Sequence, residues 1–244
     1  MSAAKMRKIR LIVSRDCIAN MLSELMLLGC VEVSEPDELL MDQELAALVA
    51  REGSELESCR ADYESLERAL DIIGSYVTDD VDIDMTRQEI TLDRLLYETY
   101  PESSLMLAKS IETLDSMLLI LPEQDKPDII SQIKAANEHR EDLQLCCDHF
   151  SIRIALAETI GKMLGTECTL ILTGWTPAKS EPNLIQRFSQ YICAWEFSDP
   201  TPGEAENVPV LQKGAKLLGR FQNETRKQFR PLVVRTSYVD VIRG

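Results

Sequence analysis

The fold is decided by residues 168–197, which read CTLILTGWTPAKSEPNLIQRFSQYICAWEF. The apolar run at 168–173 predicts a strand, and residues 174–177 predict the turn that follows it. A helix is predicted from Ser180 onward, because Pro182 suits its first turn and apolar residues then recur at helical spacing. Residues 192–197 return as a strand, so the stretch forms one strand–helix–strand unit.

A similar unit stands at the other end of the chain. Residues 8–14 (KIRLIVS) predict a strand, a helical apolar pattern then runs to Gly29, and residues 30–34 (CVEVS) alternate as a second strand. Two such units most simply pack as one four-stranded sheet with two helices on a face. The sequence therefore predicts an α+β chain with a ferredoxin-like head formed by residues 1–36 and 166–211.

The region between the two units predicts a helical arm over residues 37–165. Apolar residues recur at alternating spacings of three and four over 45–77, where only Glu52 interrupts the seam, and again over 129–164. This spacing is typical of coiled coils. Two prolines within residues 121–128 place the tip there, so the arm is expected to be a long antiparallel hairpin.

Charge is distributed unevenly along the chain. The net charge is −15, and residues 36–165 carry 11 Lys or Arg against 29 Asp or Glu. Such an acidic chain is a poor ligand for nucleic acid and for anionic lipid. The acidic surface of the arm is expected to be a solvated helix face or, alternatively, a surface for a basic partner helix.

Cysteine usage and hydropathy predict a cytoplasmic chain. The seven cysteines are odd in number and scattered within apolar patterns, which does not suit a disulfide framework. The basic N-terminus is followed by only three apolar residues, 11–13, which is too short for a signal peptide. No apolar stretch is long enough to span a membrane.

No motif of catalysis or of cofactor binding is present in the sequence. It contains no phosphate-binding loop, dinucleotide fingerprint or nucleophile elbow. Residues 146–149 (CCDH) resemble metal ligands, but adjacent helical residues point about 100° apart and do not converge on one ion. The acidic residues 79–84 do not match a calcium-binding loop. We therefore predict a non-enzymatic protein with no catalytic residues, no cofactor and no metal.

Several short motifs, in order, resemble one known family. Residues 6–13 (MRKIRLIV), 27–32 (LLGCVE), 169–177 (TLILTGWTP) and 208–213 (VPVLQK) are similar to motifs in the cytoplasmic N-terminal half of subunit I of V-type (A-type) rotary ATPases, called subunit a in eukaryotes. The resemblance covers nearly the whole chain, and its most specific block contains Gly174, Trp175 and Pro177.

The resemblance implies a non-catalytic stator subunit on the cytoplasmic face of the membrane, within a proton- or sodium-translocating complex. Its implied partners are peripheral-stalk helical heterodimers (E/G-type subunits) and other ATPase subunits. Two departures from the family are evident. Residues 212–244 form a tail leading toward a membrane half that is missing here, and residues 107–164 lack the strand pattern of a second α/β lobe.

The stalk interface is expected on the outer side of residues 180–197 and on the basic tail at 220–230. The candidate residues on these two surfaces are Asn183, Arg187, Gln190, Arg226 and Lys227. Two other interpretations stay open. One is a stand-alone coiled-coil scaffold or adaptor unrelated to rotary ATPases, and the other is a small ferredoxin-like enzyme with an inserted arm.

Overall fold

The computed structural model describes residues 4–36, 41, 43–53, 55–77, 90–100, 102–204, 208–210 and 241–242. The chain divides into two compact units. We call residues 1–54 with 156–233 the sheet unit, and residues 55–155 with 234–244 the helical unit. The prediction of a mixed α+β chain whose two end regions share one antiparallel sheet is confirmed.

Among the described residues, six strands and three α-helices lie in the sheet unit. In chain order they are β1 (Met6–Ser14), α1 (Ile18–Leu28), β2 (Glu32–Ser34), α2 (Gln43–Ala46) and β3 (Ala50–Arg51), and later β5 (Leu164–Gly165), β6 (Thr169–Pro177), α8 (Glu181–Phe188) and β7 (Cys193–Ser198). The strands form a six-stranded antiparallel sheet in the order β3-β5-β6-β1-β7, with β2 also paired to β6. Strand β1 is central, since Ile9 pairs with Gly174 on one side and with Phe197 on the other.

Successive side chains of β1 point alternately to the two faces of the sheet. Ile9, Leu11 and Val13 are fully buried against α1 and α8, whereas Lys8 and Arg10 point to the opposite face. On the face covered by α1 and α8, the buried apolar side chains form one cluster: Ile9, Leu11, Val13, Met21, Leu22, Leu25, Val31, Met163, Leu170, Leu172, Leu184 and Phe188. Gly29 ends α1 in the left-handed conformation (φ 54°), as its position after the apolar pattern predicts.

The prediction of a turn at residues 174–177 is wrong, because these residues complete strand β6. The chain turns only afterwards, in a 3₁₀ turn at Ala178–Ser180. Gly174 is required by a close approach of two backbones. A Cβ atom at this position would overlap the backbone oxygen of Glu32 on the paired strand β2.

The predicted boundary at residue 36 and the predicted seam through Glu52 also need correction. Strand β3 pairs with β5, so this segment belongs to the sheet rather than to the arm. Glu52 accepts two hydrogen bonds, of 3.1 and 2.8 Å, from the guanidinium of Arg15. Arg15 also donates a 2.8 Å bond to the backbone oxygen of Thr166. The polar residue that interrupts the apolar pattern is therefore an ion-pair partner.

The helical unit is built from consecutive helices. They are α3 (Leu56–Tyr76), α4 (Leu92–Tyr97), α5 (Glu102–Leu118), α6 (Lys126–Ala135) and α7 (Arg140–Ile160), accompanied by the short parallel pair β4 (Ile90–Thr91) and β8 (Val241–Ile242). Their shared core is one cluster: Cys59, Leu66, Ala69, Leu70, Ile73, Ala108, Ile111, Ala136, Leu143, Cys146, Cys147 and Phe150. Cys59 and Cys147, which lie on the predicted seam, and Cys146 beside it are buried as small apolar side chains.

The helices are arranged differently from a simple two-legged hairpin. Helix α5 lies beside α3 rather than beyond it, since Ser65 donates a 2.5 Å bond to Glu112 and Tyr76 a 3.1 Å bond to Asp115. The predicted return helix over 128–164 is interrupted by a 3₁₀ turn at Ala136–His139 and ends at Ile160. None of the described helices is long and apolar enough to cross a bilayer.

Candidate functional site

The candidate interface lies on helix α8. Pro182 stands in the first turn of this helix, and Leu184 and Phe188 are buried in the core of the sheet unit. Because these two residues are four apart, they define the inner stripe of the helix and leave the opposite face to solvent. Asn183 and Arg187 are exposed on α8, and Gln190 is exposed in the turn that follows.

Arg187 is partly engaged within the chain. Its guanidinium lies 3.3 Å from the carboxylate of Glu24 on α1, and the Glu24 side chain is only 19% exposed. This pair connects the two helices that cover the sheet. The positive charge is therefore partly compensated, so a partner would meet Arg187 mainly as a hydrogen-bond donor. Arg226 and Lys227 lie outside the described residues.

Apolar side chains extend this surface and were missed by the sequence reasoning. Ile192 is 78% exposed in the turn before β7, and Ile185 on α8 and Trp195 on β7 are also exposed. The ring of Trp195 lies 5.8 Å from that of Phe188, which keeps the indole against the helix. The alternating pattern of residues 192–197 was the sequence signal for these exposed side chains. It predicts a strand, and a strand at the edge of a sheet buries neither of its faces completely.

Strand β7 is at the end of the sheet. In the described part of the chain it pairs with β1 alone. An edge of this kind presents backbone N–H and C=O groups that a partner can use. Together, α8, the following turn and β7 form an exposed surface with apolar residues between polar ones.

The motif residues Gly174, Trp175 and Pro177 do not join this surface. Trp175 is buried on the face of the sheet that points away from α1 and α8, where it packs with Met6 and Val208. Pro177 pairs with Met6 at the end of β6. The motif therefore contributes to the packing and pairing of the sheet.

A polar cleft of about 290 Å³ lies on the same face of the sheet as Trp175. It is lined by Lys8, Arg10, Glu196, Ser198, Thr201 and Glu204. Lys8 forms a close ion pair with Glu204. Burial opposes ionisation of the Glu204 carboxyl, but hydrogen bonds from Lys8 and Thr201 outweigh it and lower its pKa to about 2. The charges of the cleft are thus matched within the chain.

The buried thiols and the half-buried His149 of the helical unit have ordinary packing roles. Burial raises the pKa of Cys146 to about 11 and that of Cys147 to about 12, so both remain protonated at neutral pH and are poor nucleophiles. The Nδ1 atom of His149 lies 3.1 Å from the backbone oxygen of Leu95. Among the described residues, no three His, Cys, Asp or Glu side chains are grouped to hold a metal ion.

No family model matches the chain, and no curated protein matches its sequence. The assignment of function therefore rests on the residues, on their order and on the geometry described above.

Proposed function

We propose that this chain is a non-catalytic stator subunit of a V/A-type rotary ATPase, corresponding to the cytoplasmic domain of subunit I. The proposal combines the ordered motif resemblance with one structural observation. Strand β1 from the beginning of the chain is hydrogen-bonded along nine residues to β6 and along six to β7. A subunit that resists torque needs such a rigid body, and a continuous ladder supplies it.

The strand order supports the finer fold that this function implies. Strands β2, β6, β1 and β7 follow each other across the sheet, and each neighbouring pair is antiparallel. Two helices, α1 and α8, contribute to the buried cluster on one face. We infer a ferredoxin-like head into which the helical segment is inserted. The short strands β3 and β5 extend that head beyond the predicted four strands.

Partner binding is assigned to the surface of α8 and β7. Its exposed apolar residues, Ile185, Ile192 and Trp195, supply area to bury, and Asn183 and Gln190 supply hydrogen bonds at its border. The proposed partners are the peripheral-stalk helical heterodimers. In this assignment the chain acts on the cytoplasmic face of the membrane and itself neither hydrolyses ATP nor conducts ions.

The test is binding to the peripheral-stalk heterodimer encoded in the same genome, measured by calorimetry. We expect a dissociation constant in the micromolar range or below for the full chain. The double variant Ile185→Ser/Ile192→Ser should weaken binding at least about tenfold, because two apolar contacts are lost.

Leu48→Ser is the matched control, since Leu48 is an exposed apolar residue of the sheet unit away from α8 and β7. It should bind as the unmodified chain does. Absence of binding by the full chain would contradict the stator assignment. Equal weakening by both variants would contradict only the location of the interface. Saturable binding of ATP by the purified chain would contradict the non-catalytic role.

A further inference from the structure

The turn between α5 and α6 exposes two large aliphatic side chains. Five consecutive apolar residues, 117–121, cross the end of α5. Leu118 is buried, but Leu119 is 86% exposed and Ile120 is 83% exposed. These are the highest exposures among the described large apolar side chains of the chain.

The backbone holds this pair in place. The N–H of Leu119 bonds to the oxygen of Ser116 at 3.3 Å, and the N–H of Ile120 bonds to that of Met117 at 3.1 Å. The N–H of Leu121 also bonds to Met117, at 3.0 Å. The last turn of α5 is therefore continued by its own hydrogen bonds, and the two side chains project from a fixed backbone.

Leu and Ile are unusual residues at such positions. Turns between helices are normally built from Gly, Pro, Asn, Asp and Ser, which suit their backbone and their contact with water. A single exposed apolar residue needs no explanation, and Met106 on α5, at 68% exposure, is an example. Leu119 and Ile120 are adjacent, and each lacks the stabilisation of about 1.5–3 kcal/mol that burial of its side chain would contribute.

The residues beside the pair carry net negative charge. Glu123 and Lys126 compensate each other in an ion pair of 2.5 Å. Asp125 and Asp128 are exposed and add two negative charges on the α6 side of the turn. This border repels anionic lipid headgroups and a second copy of the same turn, and it attracts a surface that carries Lys and Arg.

We propose that Leu119 and Ile120 form a second docking site, which inserts into an apolar stripe of a partner protein helix bordered by Lys and Arg. The site belongs to the helical unit and is formed by residues other than those of the α8 and β7 surface. It does not depend on the stator assignment, because its argument uses only the exposure of the pair and the charge around it.

The test uses two synthetic amphipathic helical peptides with the same Leu stripe, one with Lys and one with Glu at all polar positions. Binding of each labelled peptide to the full chain is followed by fluorescence anisotropy. We expect the Lys peptide to bind and the Glu peptide to bind at least about tenfold more weakly. The variant Leu119→Ser/Ile120→Ser should weaken binding of the Lys peptide at least about tenfold.

Two further variants separate the apolar and the charged contributions. Met106→Ser should bind the Lys peptide as the unmodified chain does. Asp125→Asn/Asp128→Asn should bind it more weakly and with less dependence on salt. All the substituted residues are exposed, so each variant should keep the helical circular dichroism of the unmodified chain.

The proposal is overturned if the Lys peptide does not bind, or if its affinity is unchanged in Leu119→Ser/Ile120→Ser. Flotation with phosphatidylserine vesicles that is lost in the same variant would assign the pair to a membrane surface instead. Concentration-dependent dimerisation in sedimentation, lost in that variant, would assign it to a second copy of the chain. Either of these outcomes also overturns the proposal.

Discussion

Gly174 in the sheet unit and Gly74 in the helical unit differ in the space around them. In the sheet unit, a Cβ atom at Gly174 would collide with the backbone of Glu32. In the helical unit, a Cβ atom at Gly74 would meet no atom within 4 Å. The sheet unit is thus held by backbones in close register, whereas the helical unit is held by side chains on one stripe of each helix. The two units should respond differently to the same substitution.

The substitution Gly174→Ala should cause the largest loss of stability. The Cβ atom meets backbone rather than a flexible side chain, so strands β2 and β6 must separate, at a cost of about 3 kcal/mol or more. Gly74→Ala should instead stabilise the chain by about 0.5–1 kcal/mol, because Ala is the better helix former. Urea unfolding measures both. Equal effects of the two substitutions would remove the contrast between the units.

Replacing a buried leucine by alanine should destabilise chiefly the unit that contains it. Leu66 is fully buried in the cluster of the helical unit, and Leu66→Ala should cost about 3 kcal/mol. Leu11→Ala is the counterpart in the sheet unit. Hydrogen exchange followed by mass spectrometry should find faster exchange chiefly in α3, α5 and α7 for the first variant, and in β1 and β6 for the second. Uniform acceleration across the chain would mean that the units unfold together.

Acid should weaken the sheet unit through Glu204. Its pKa is about 2 in the folded chain and about 4.5 in the unfolded chain, so its stabilising effect is complete above pH 4.5 and is lost as the pH falls toward 2. Glu204→Gln should cost about 2 kcal/mol at pH 7, since a charge-assisted hydrogen bond to Lys8 is lost. The variant should also flatten the decline of stability below pH 4.5. Unfolding by urea at several pH values measures this, and an unchanged decline would exclude Glu204 as its source.

The smallest effect is expected at His149 in the helical unit. Burial lowers its pKa below 6.5, although the contact with the Leu95 carbonyl opposes this and the Arg153 charge adds to it. The unfolded chain therefore takes up a proton more readily, and the free energy of unfolding falls as the pH falls below about 6.5. His149→Gln should remove this slope, and His139→Gln, which retains His149, should keep it. A slope that survives in His149→Gln would have to arise elsewhere.

Local patterns were sufficient to predict elements but not their partners. The strand at 8–14, the helix ended by Gly29 and the helix at 181–188 were visible because each repeats its apolar residues with its own period. The sequence predicted a two-legged hairpin, whereas α5 lies beside α3 as a further helix. The spacing of apolar residues along a helix predicts which face is buried, but it does not predict which neighbouring element covers that face.

The errors in the sheet unit have a related cause. Strands β3 and β5 are two residues each, so they carry no period of their own and exist only because they pair. Glu52 was predicted to be a polar interruption of a helical seam. Its actual partner, Arg15, lies 37 positions earlier in the chain, so the local pattern did not reveal the ion pair. Of the candidate site, sequence located the exposed polar residues of α8. It missed Ile185, Ile192 and Trp195, because apolar side chains are read as core unless the edge of the sheet is known.

The pairing of β1 with β6 also sets an order of events during synthesis. After Ser14 leaves the ribosome, about 160 further residues must be added before Pro177 completes the partner strand, which takes about 8–30 s at typical elongation rates. Throughout that interval Ile9, Leu11 and Val13 lack their partner strand, whereas residues 55–155 are completed before it ends and can pack first. During synthesis β1 therefore remains an unpaired apolar segment until β6 emerges, and this segment is where a ribosome-bound holdase chaperone would bind.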